Sequence, residues 1–284
     1  MNKDICIYHG NCADGFGSAW VVRQYCKFWD LPMPEFFAGV HGQPAPNVTG
    51  RNVTIVDFSY KRPALLEMAE QAESILIIDH HKTAAEDLVD LPENVTTVFD
   101  MNHSGAILAW SYFFSNSEPP FLLRHIEDRD LWKFELAGTR QIQATIFSYP
   151  YDFEVWDQLV SSFDEFGGTP LTSEGEAIER KHHKDVDELL KVTTREMVIG
   201  GHKVLIANLP YTLVSDAAHE LAKNRPFAGC YWDTPTGRTF GLRSSDSGID
   251  VSSIAKQYGG GGHEHASGFT VSYEQARDFE LINP

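Results

Sequence analysis

The stretch Ser74-Ile75-Leu76-Ile77-Ile78-Asp79-His80-His81-Lys82-Thr83 changes character at a single residue. An aliphatic run gives way to an acid, two imidazoles and a lysine. Such a run, closed abruptly by polar residues, reads as a strand buried on both faces, and strands of that kind belong to parallel sheets covered by helices. Packing gives no reason for Asp-His-His at its end. Imidazole is the commonest metal-binding side chain, and a neighbouring carboxylate orients it or bridges ions.

Upstream, the same pattern recurs. Ile5–Tyr8 leads into His9-Gly10-Asn11-Cys12-Ala13-Asp14-Gly15, and Val53–Val56 leads into Asp57-Phe58-Ser59. Gly10 to Gly17 reads as a glycine-rich turn, Ser18–Trp29 as a helix, and Pro63–Glu73 as a helix with Pro in its first turn. Strands alternating with helices predict a parallel α/β sheet, whose ligands lie outside the carboxyl ends of its strands. All three polar clusters fall there.

Downstream, Gly105–Phe114 and Phe121–Leu131 read as helices, the second carrying Glu127, Asp128 and Asp130. Glu174–Val192 is charged, has no Gly or Pro after Gly175, and reads as a connecting helix. The pattern then restarts. Lys203–Ala207, Phe227–Trp232, Arg238–Arg243 and Gly268–Val271 read as strands, with helices at Ser215–Lys223 and Val251–Tyr258. The expected division is a parallel-sheet domain over 1–172, a helical linker over 173–198, and a smaller α/β domain over 199–284.

The 284 residues are 42% hydrophobic and 22% charged, a globular composition. With 23 Lys+Arg against 40 Asp+Glu the net charge is −17, which argues against broad binding to long duplex nucleic acid. It does not bear on a short nucleotide held in one cleft. No apolar run approaches the roughly 18 residues of a membrane span, so no membrane partner is expected. The first residues are too short and mixed for a signal peptide, and Cys6, Cys12, Cys26 and Cys230 form no CxxC pair. Reduced thiols and a cytoplasmic location are the expectation.

His9, Asp14, Asp57, His80 and Asp128 offer nitrogen and oxygen donors suited to two divalent ions: Mn²⁺ first, with Mg²⁺, Co²⁺, Zn²⁺ or Fe²⁺ as alternatives. Cys12 is a further candidate ligand, suited to a softer ion. Two metals bridged by one carboxylate, for which Asp57 is the natural choice, suit phosphoryl displacement by an activated water. Two other clusters suit anions. Asn102-His103-Ser104-Gly105 opens a helix, whose first N–H groups either bind phosphate or are plainly capped by Ser104 or Asn102. Gly259-Gly260-Gly261-Gly262-His263, with Arg243 from a nearby strand, reads as backbone donors turned to a phosphate, the alternative being a flexible linker.

These motifs, in this order, resemble the DHH phosphoesterase superfamily, named for a triplet matched by Asp79-His80-His81. Cys12-Ala13-Asp14-Gly15 stands where the family has Asp-x-Asp-Gly, so a thiol replaces its first carboxylate. Asp57 matches the second motif, Asn102–Gly105 the fourth, and Asp128 the late metal-binding Asp. The run Gly260–Gly268 resembles the signature of the DHH-associated domain. The resemblance spans essentially the whole chain and is closest to nanoRNase and oligoribonuclease types. It implies a dinuclear site in a cleft between two α/β domains, with His9, Asp14, Asp57, His80 and Asp128 as ligands. His81 would contact the scissile phosphate and Asp79 would support the site. Asn102, Ser104, Arg243, Gly260, Gly261, Gly262 and His263 would bind substrate.

The function so implied is hydrolysis of short oligoribonucleotides or linear dinucleotides such as pGpG to 5′-mononucleotides. Short RNA or a dinucleotide is the expected partner, with self-association as a homodimer a further expectation. Alternatives are a cyclic di- or mononucleotide phosphodiesterase, a 3′-phosphoadenosine nucleotide phosphatase, or a nucleotide-binding regulator that has lost catalysis.

Overall fold

The computed structural model describes residues 4–115 and 117–279. The outer ends of the expected domains, residues 1–3 and 280–284, lie outside the described residues. The chain divides into two compact units, Met1–Glu179 and Arg180–Pro284.

The first unit is built on strands β1 (Asp4–His9), β2 (Glu35–Gly39), β3 (Asn52–Val56), β4 (Ser74–Asp79) and β5 (Val95–Phe99). They form one parallel sheet in the order β2-β1-β3-β4-β5. Ile5, Cys6 and Ile7 are consecutive and all buried, because apolar clusters cover both faces of the sheet. The helices are α1 (Ala13–Phe28), α2 (Arg62–Gln71), α3 (Lys82–Asp87), α4 (Gly105–Phe113), α5 (Phe121–Asp130), α6 (Thr139–Ser148), α7 (Phe153–Phe166) and α8 (Thr169–Thr193). The boundary between the units falls inside α8. On one side of the sheet, α1, α4, α5 and α7 build a core around Phe16, Trp20, Ile126 and Trp156.

The expected α/β architecture is present, with local differences. α1 begins at Ala13, so Asp14 and Gly15 lie in its first turn rather than in a loop. Cys12 is its extended N-cap residue, which lets the helix start directly behind the strand. The edge strands β2 and β5 are not legible as apolar runs because much of each stays exposed or half-exposed.

The second unit carries β6 (Thr194–Ile199), β7 (His202–Asn208), β8 (Ala228–Thr234), β9 (Gly237–Arg243), β10 (Gly261–Gly262) and β11 (Ala266–Val271). The sheet order is β10-β11-β9-β8-β7-β6, antiparallel except where β7 meets β8. Helices α9 (Val214–Ala222), α10 (Val251–Lys256) and α11 (Tyr273–Ala276) complete it. Its main core gathers Met197, Ile206, Phe227, Phe240 and Phe269. Among the described residues no helix is long and apolar enough to cross a membrane.

Candidate metal centre

Strand register assembles the centre. Tyr8 pairs with Val56, and Val56 with Ile78. The next residues along, His9, Asp57 and Asp79, therefore leave the sheet in one row at its carboxyl end. This row lies where the chain order reverses around β1, the usual ligand position of an open parallel sheet. Asp57 has φ +52°, a left-handed turn that Asp tolerates better than most residues, and its N–H donates to the Ile78 carbonyl at 2.9 Å.

The Asp57 carboxylate is buried. Its Oδ1 lies 3.1 Å from His80 Nε2 and its Oδ2 3.5 Å from His9 Nδ1. Both oxygens and His9 Nδ1 are buried without any hydrogen bond among the described residues. Leaving a buried polar group unsatisfied costs about 1–3 kcal/mol, so three such atoms facing one another need a reason. A shared cation is a sufficient one, because lone pairs that cannot hydrogen-bond to each other can all point at it.

Two more carboxylates reach His80 Nε2, Asp130 Oδ2 at 3.5 Å and Asp14 Oδ2 at 3.6 Å. Asp14 also accepts the Gly105 N–H at 2.6 Å and the Ala106 N–H at 3.0 Å, which ties α1 to the start of α4. That approach requires glycine at 105, where a Cβ would lie 2.5 Å from the Asp57 Cβ. Besides Asp57–Asp79–His81, in which Asp79 is already hydrogen-bonded, the donor atoms of this unit form the triads His9–Cys12–Asp57 and Asp14–His80–Asp130, each within 4.8 Å. They are joined through the Asp57–His80 contact.

The electrostatics describe a centre short of positive charge. Burial lowers the His9 and His80 pKa values, but Asp57, with Cys12 for His9 and with Asp130 and Asp14 for His80, drives both well above the usual imidazole range. Burial, then Asp57 and Asp130, pushes the Asp14 carboxyl well above its ordinary value. Burial, with Asp57 behind it, also raises Asp130. Asp57 is the exception. Burial would raise it, yet the His80 and His9 imidazoles hold it well below the carboxylate range. Burial and Asp57 push the Cys12 thiol up, against the pull of His9. A divalent cation would relieve every one of these conflicts.

Asp79 sits in the same row with a different task. Its Oδ2 accepts the Ser59 hydroxyl at 2.7 Å, and its Oδ1 takes the His80 N–H at 2.7 Å and meets His81 Nδ1 at 2.6 Å. Burial would raise its pKa, but His81 outweighs this and lowers it. An ionised Asp79 fixes the proton on His81 Nδ1, leaving Nε2 on the edge turned away from it. His41, which no motif reading singled out, lies edge-on to His9 with centroids 5.3 Å apart and against Phe58 at 4.6 Å.

Asp128 is not in the centre. Its carboxylate accepts the Glu135 N–H at 2.7 Å, the Leu136 N–H at 3.1 Å and the Thr139 hydroxyl at 2.5 Å. Asp130, two residues on, takes the expected place, since residues two apart on a helix point about 200° apart. Asn102 turns to Asp100 in an exposed turn. Ser104 is fully buried as the N-cap of α4, its hydroxyl accepting from Ile107 N–H at 3.4 Å and its N–H donating to Glu127 at 2.9 Å. With Asp14 on the next two N–H groups, the helix start that Asn102 and Ser104 were expected to open to a phosphate is capped by protein.

In the second unit, the glycine run is a helix end and an edge strand. Gly259 and Gly260 donate their N–H groups to the Lys256 and Ala255 carbonyls at the end of α10. Gly261 and Gly262 pair with Gly268 and Ser267. Gly260 packs so tightly on β11 that a Cβ would meet the Gly268 carbonyl oxygen at 2.1 Å. His263 opens the tight turn to Ala266, its N–H donating to the Ala266 carbonyl at 2.9 Å. Arg243, at the end of β9, donates to the Leu242 carbonyl at 2.8 Å and to the Ser215 hydroxyl at 2.9 Å.

No family model matches the chain. Uncharacterized protein R106 of Acanthamoeba polyphaga mimivirus is 31% identical over 291 aligned residues, covering 95% of this chain and 68% of the viral protein. Oligoribonuclease NrnB of Bacillus subtilis is 28% identical over 233 residues, 74% of this chain. The match spans 56% of NrnB, little more than half its length. Among solved structures, RecJ of Thermus thermophilus in complex with Mn²⁺ superposes with a TM-score of 0.55 at 16% identity, covering 98% of this chain and 51% of that one. With its fold, its Asp79-His80-His81 triplet and this kinship, the chain belongs to the DHH phosphoesterase superfamily.

Proposed function

We propose that the chain is a metal-dependent phosphodiesterase that hydrolyses short oligoribonucleotides and linear dinucleotides such as pGpG to 5′-mononucleotides. One observation carries this reading: two donor triads joined through Asp57 and His80, with buried oxygens and a nitrogen that make no hydrogen bond. The likeness to a protein named oligoribonuclease supports the substrate class, and the −17 charge favours short substrates over long duplexes.

His9, Asp14, Asp57, His80 and Asp130 would hold two divalent ions, with Mn²⁺ the first choice and Mg²⁺, Co²⁺, Zn²⁺ or Fe²⁺ as alternatives. Bound there, such ions supply Lewis acidity toward a phosphate and lower the pKa of water. The protein's own groups do the rest. Asp57 faces both halves of the centre and so serves both. Asp79, braced by Ser59, holds His81 with Nε2 toward the scissile phosphate. Cys12 keeps its thiol proton beside Asp57 and joins only with a softer ion. In the second unit, Arg243, Gly260, Gly261, Gly262 and His263 serve the nucleotide, with Arg243 and His263 as the charged and polar contacts.

The test is a product assay with Mn²⁺ on an RNA dinucleotide, a 5-mer and a 20-mer RNA, matched DNA, cyclic di-GMP and pyrophosphate. Preference for the dinucleotide and 5-mer, with mononucleotide products, is expected. Preference for cyclic di-GMP, pyrophosphate or the long chains contradicts the substrate assignment.

A further inference from the structure

Arg129 sits on α5 directly before Asp130 of the second triad. Its guanidinium carbon lies 5.6 Å from the Trp132 ring centroid and 4.9 Å from the Phe147 ring centroid. Among the described residues this guanidinium has no hydrogen bond and no ion pair. The two rings occupy its surroundings as cation–π partners, and its N–H donors meet no acceptor. A planar fork held this way suits bidentate recognition of a phosphate.

The loop that supplies the first ring is held at some strain. Trp132 and Phe134 have φ +58° and +52°, a left-handed backbone that bulky side chains rarely adopt. The Asp128 carbonyl accepts the Lys133 and Phe134 N–H groups, while its carboxylate accepts the next two N–H groups and the Thr139 hydroxyl. Arg140, from α6, stands 3.8 Å from the Phe134 centroid and 5.7 Å from the Trp132 centroid. Strain that the surroundings hold in place is a mark of functional segments. Here a fully engaged buried acid braces a twisted aromatic loop, and the result is one arginine with idle donors next to a metal-centre carboxylate.

We propose that Arg129 receives a second, non-scissile phosphate of the substrate, the 5′-terminal phosphate of a 5′-phosphorylated dinucleotide, while the scissile phosphate lies at the triads. This rests on the phosphodiesterase reading above. Trp132 and Phe147 are positioning residues that aim the fork, and Asp128 positions Trp132.

The probes are the RNA dinucleotide GpG with and without a 5′-phosphate, offered to the full chain as wild type, Arg129→Met and Arg129→Lys. Arg129→Met keeps an apolar stem beside the rings and removes the charge. Arg129→Lys keeps the charge and removes the fork. Equilibrium binding is read in EDTA, and kcat and KM with Mn²⁺, with thermal unfolding checking the fold. Wild type should bind the phosphorylated form roughly tenfold or more tightly, a charge-assisted contact. Arg129→Met should bring that ratio to about one, through Kd and KM rather than kcat, and Arg129→Lys should fall between. Unchanged discrimination in Arg129→Met, or equal loss on both ligands, overturns the assignment. Phosphate-dependent binding that needs Arg129, without turnover of either ligand, keeps this site and rejects the phosphodiesterase. Turnover with no 5′-phosphate preference in wild type does the reverse.

Discussion

Asp57 and Asp128 are both buried carboxylates, and what faces their oxygens sets them apart. Asp57, at the end of β3, looks at two imidazole nitrogens and makes no hydrogen bond. Asp128, near the end of α5, accepts two N–H groups and a hydroxyl. A satisfied buried acid holds structure together. An unsatisfied one surrounded by other donors marks a place where something binds, because the fold otherwise bears its desolvation without return. Burial and residue type are the same in the two regions, so hydrogen-bond accounting is what separates function from architecture.

The sharpest way to break this contrast is Asp57→Asn. With the carboxylate that links the two triads weakened, turnover should fall on the order of 10³-fold, the several kcal/mol that metal-assisted catalysis supplies. The Mn²⁺-dependent rise in Tm should vanish with it. Near-normal turnover would place the centre elsewhere. The next effect separates neighbours on one helix. Asp130→Asn should cost about 10²-fold in activity and shrink the Mn²⁺ response while leaving metal-free stability within about 1 kcal/mol. Asp128→Asn should lower stability by about 2–4 kcal/mol, through its lost charge-assisted bonds, and keep the Mn²⁺ response. The opposite assignment of the Mn²⁺ response would restore Asp128 as the ligand.

A smaller effect tests the brace behind the triplet. Ser59→Ala removes the hydroxyl on Asp79 and should slow turnover about tenfold with unchanged Mn²⁺ affinity, the scale expected when a ligand-orienting partner is lost. A loss of metal binding instead would make Asp79 a ligand. The smallest expected effect is a slope. In metal-free protein, His9, His80, Asp14 and Asp130 have raised pKa values. Stability from a raised group is complete below its unfolded pKa and is lost as pH rises through the folded one. Asp57 and Asp79 are lowered, so theirs is lost only in acid, below about pH 4. Stability in EDTA should therefore decline from about pH 4 upward through Asp14 and Asp130 and from about pH 6.5 upward through His9 and His80, by at most about 1.4 kcal/mol per pH unit for each proton released. Saturating Mn²⁺ should flatten the decline, and a flat profile in EDTA would show that the cluster carries no such conflict.

Much of this was legible in the sequence, for identifiable reasons. His9, Asp57 and Asp79 each follow an apolar run, and in-register parallel strands turn three such endings into one row. The Asp79-His80-His81 triplet needed no structure to stand out. The choice between Asp128 and Asp130 was not legible, because a helix shows two acids and the difference lies in which one the following loop satisfies. Ser104 was read as an anion contact because helix capping and phosphate binding call for the same residue. Arg129 carried no signal at all, since its rings come from the loop after α5 and from the end of α6.

The most direct measurement is turnover of a 5′-phosphorylated RNA dinucleotide by EDTA-treated protein as Mn²⁺ is added back. No mononucleotide should form before addition, and turnover should return as the rise in Tm saturates. Turnover that persists in EDTA, or folded protein that cleaves the dinucleotide with none of Mn²⁺, Mg²⁺, Co²⁺, Zn²⁺ or Fe²⁺, would contradict a metal-dependent phosphodiesterase built on Asp57 and His80.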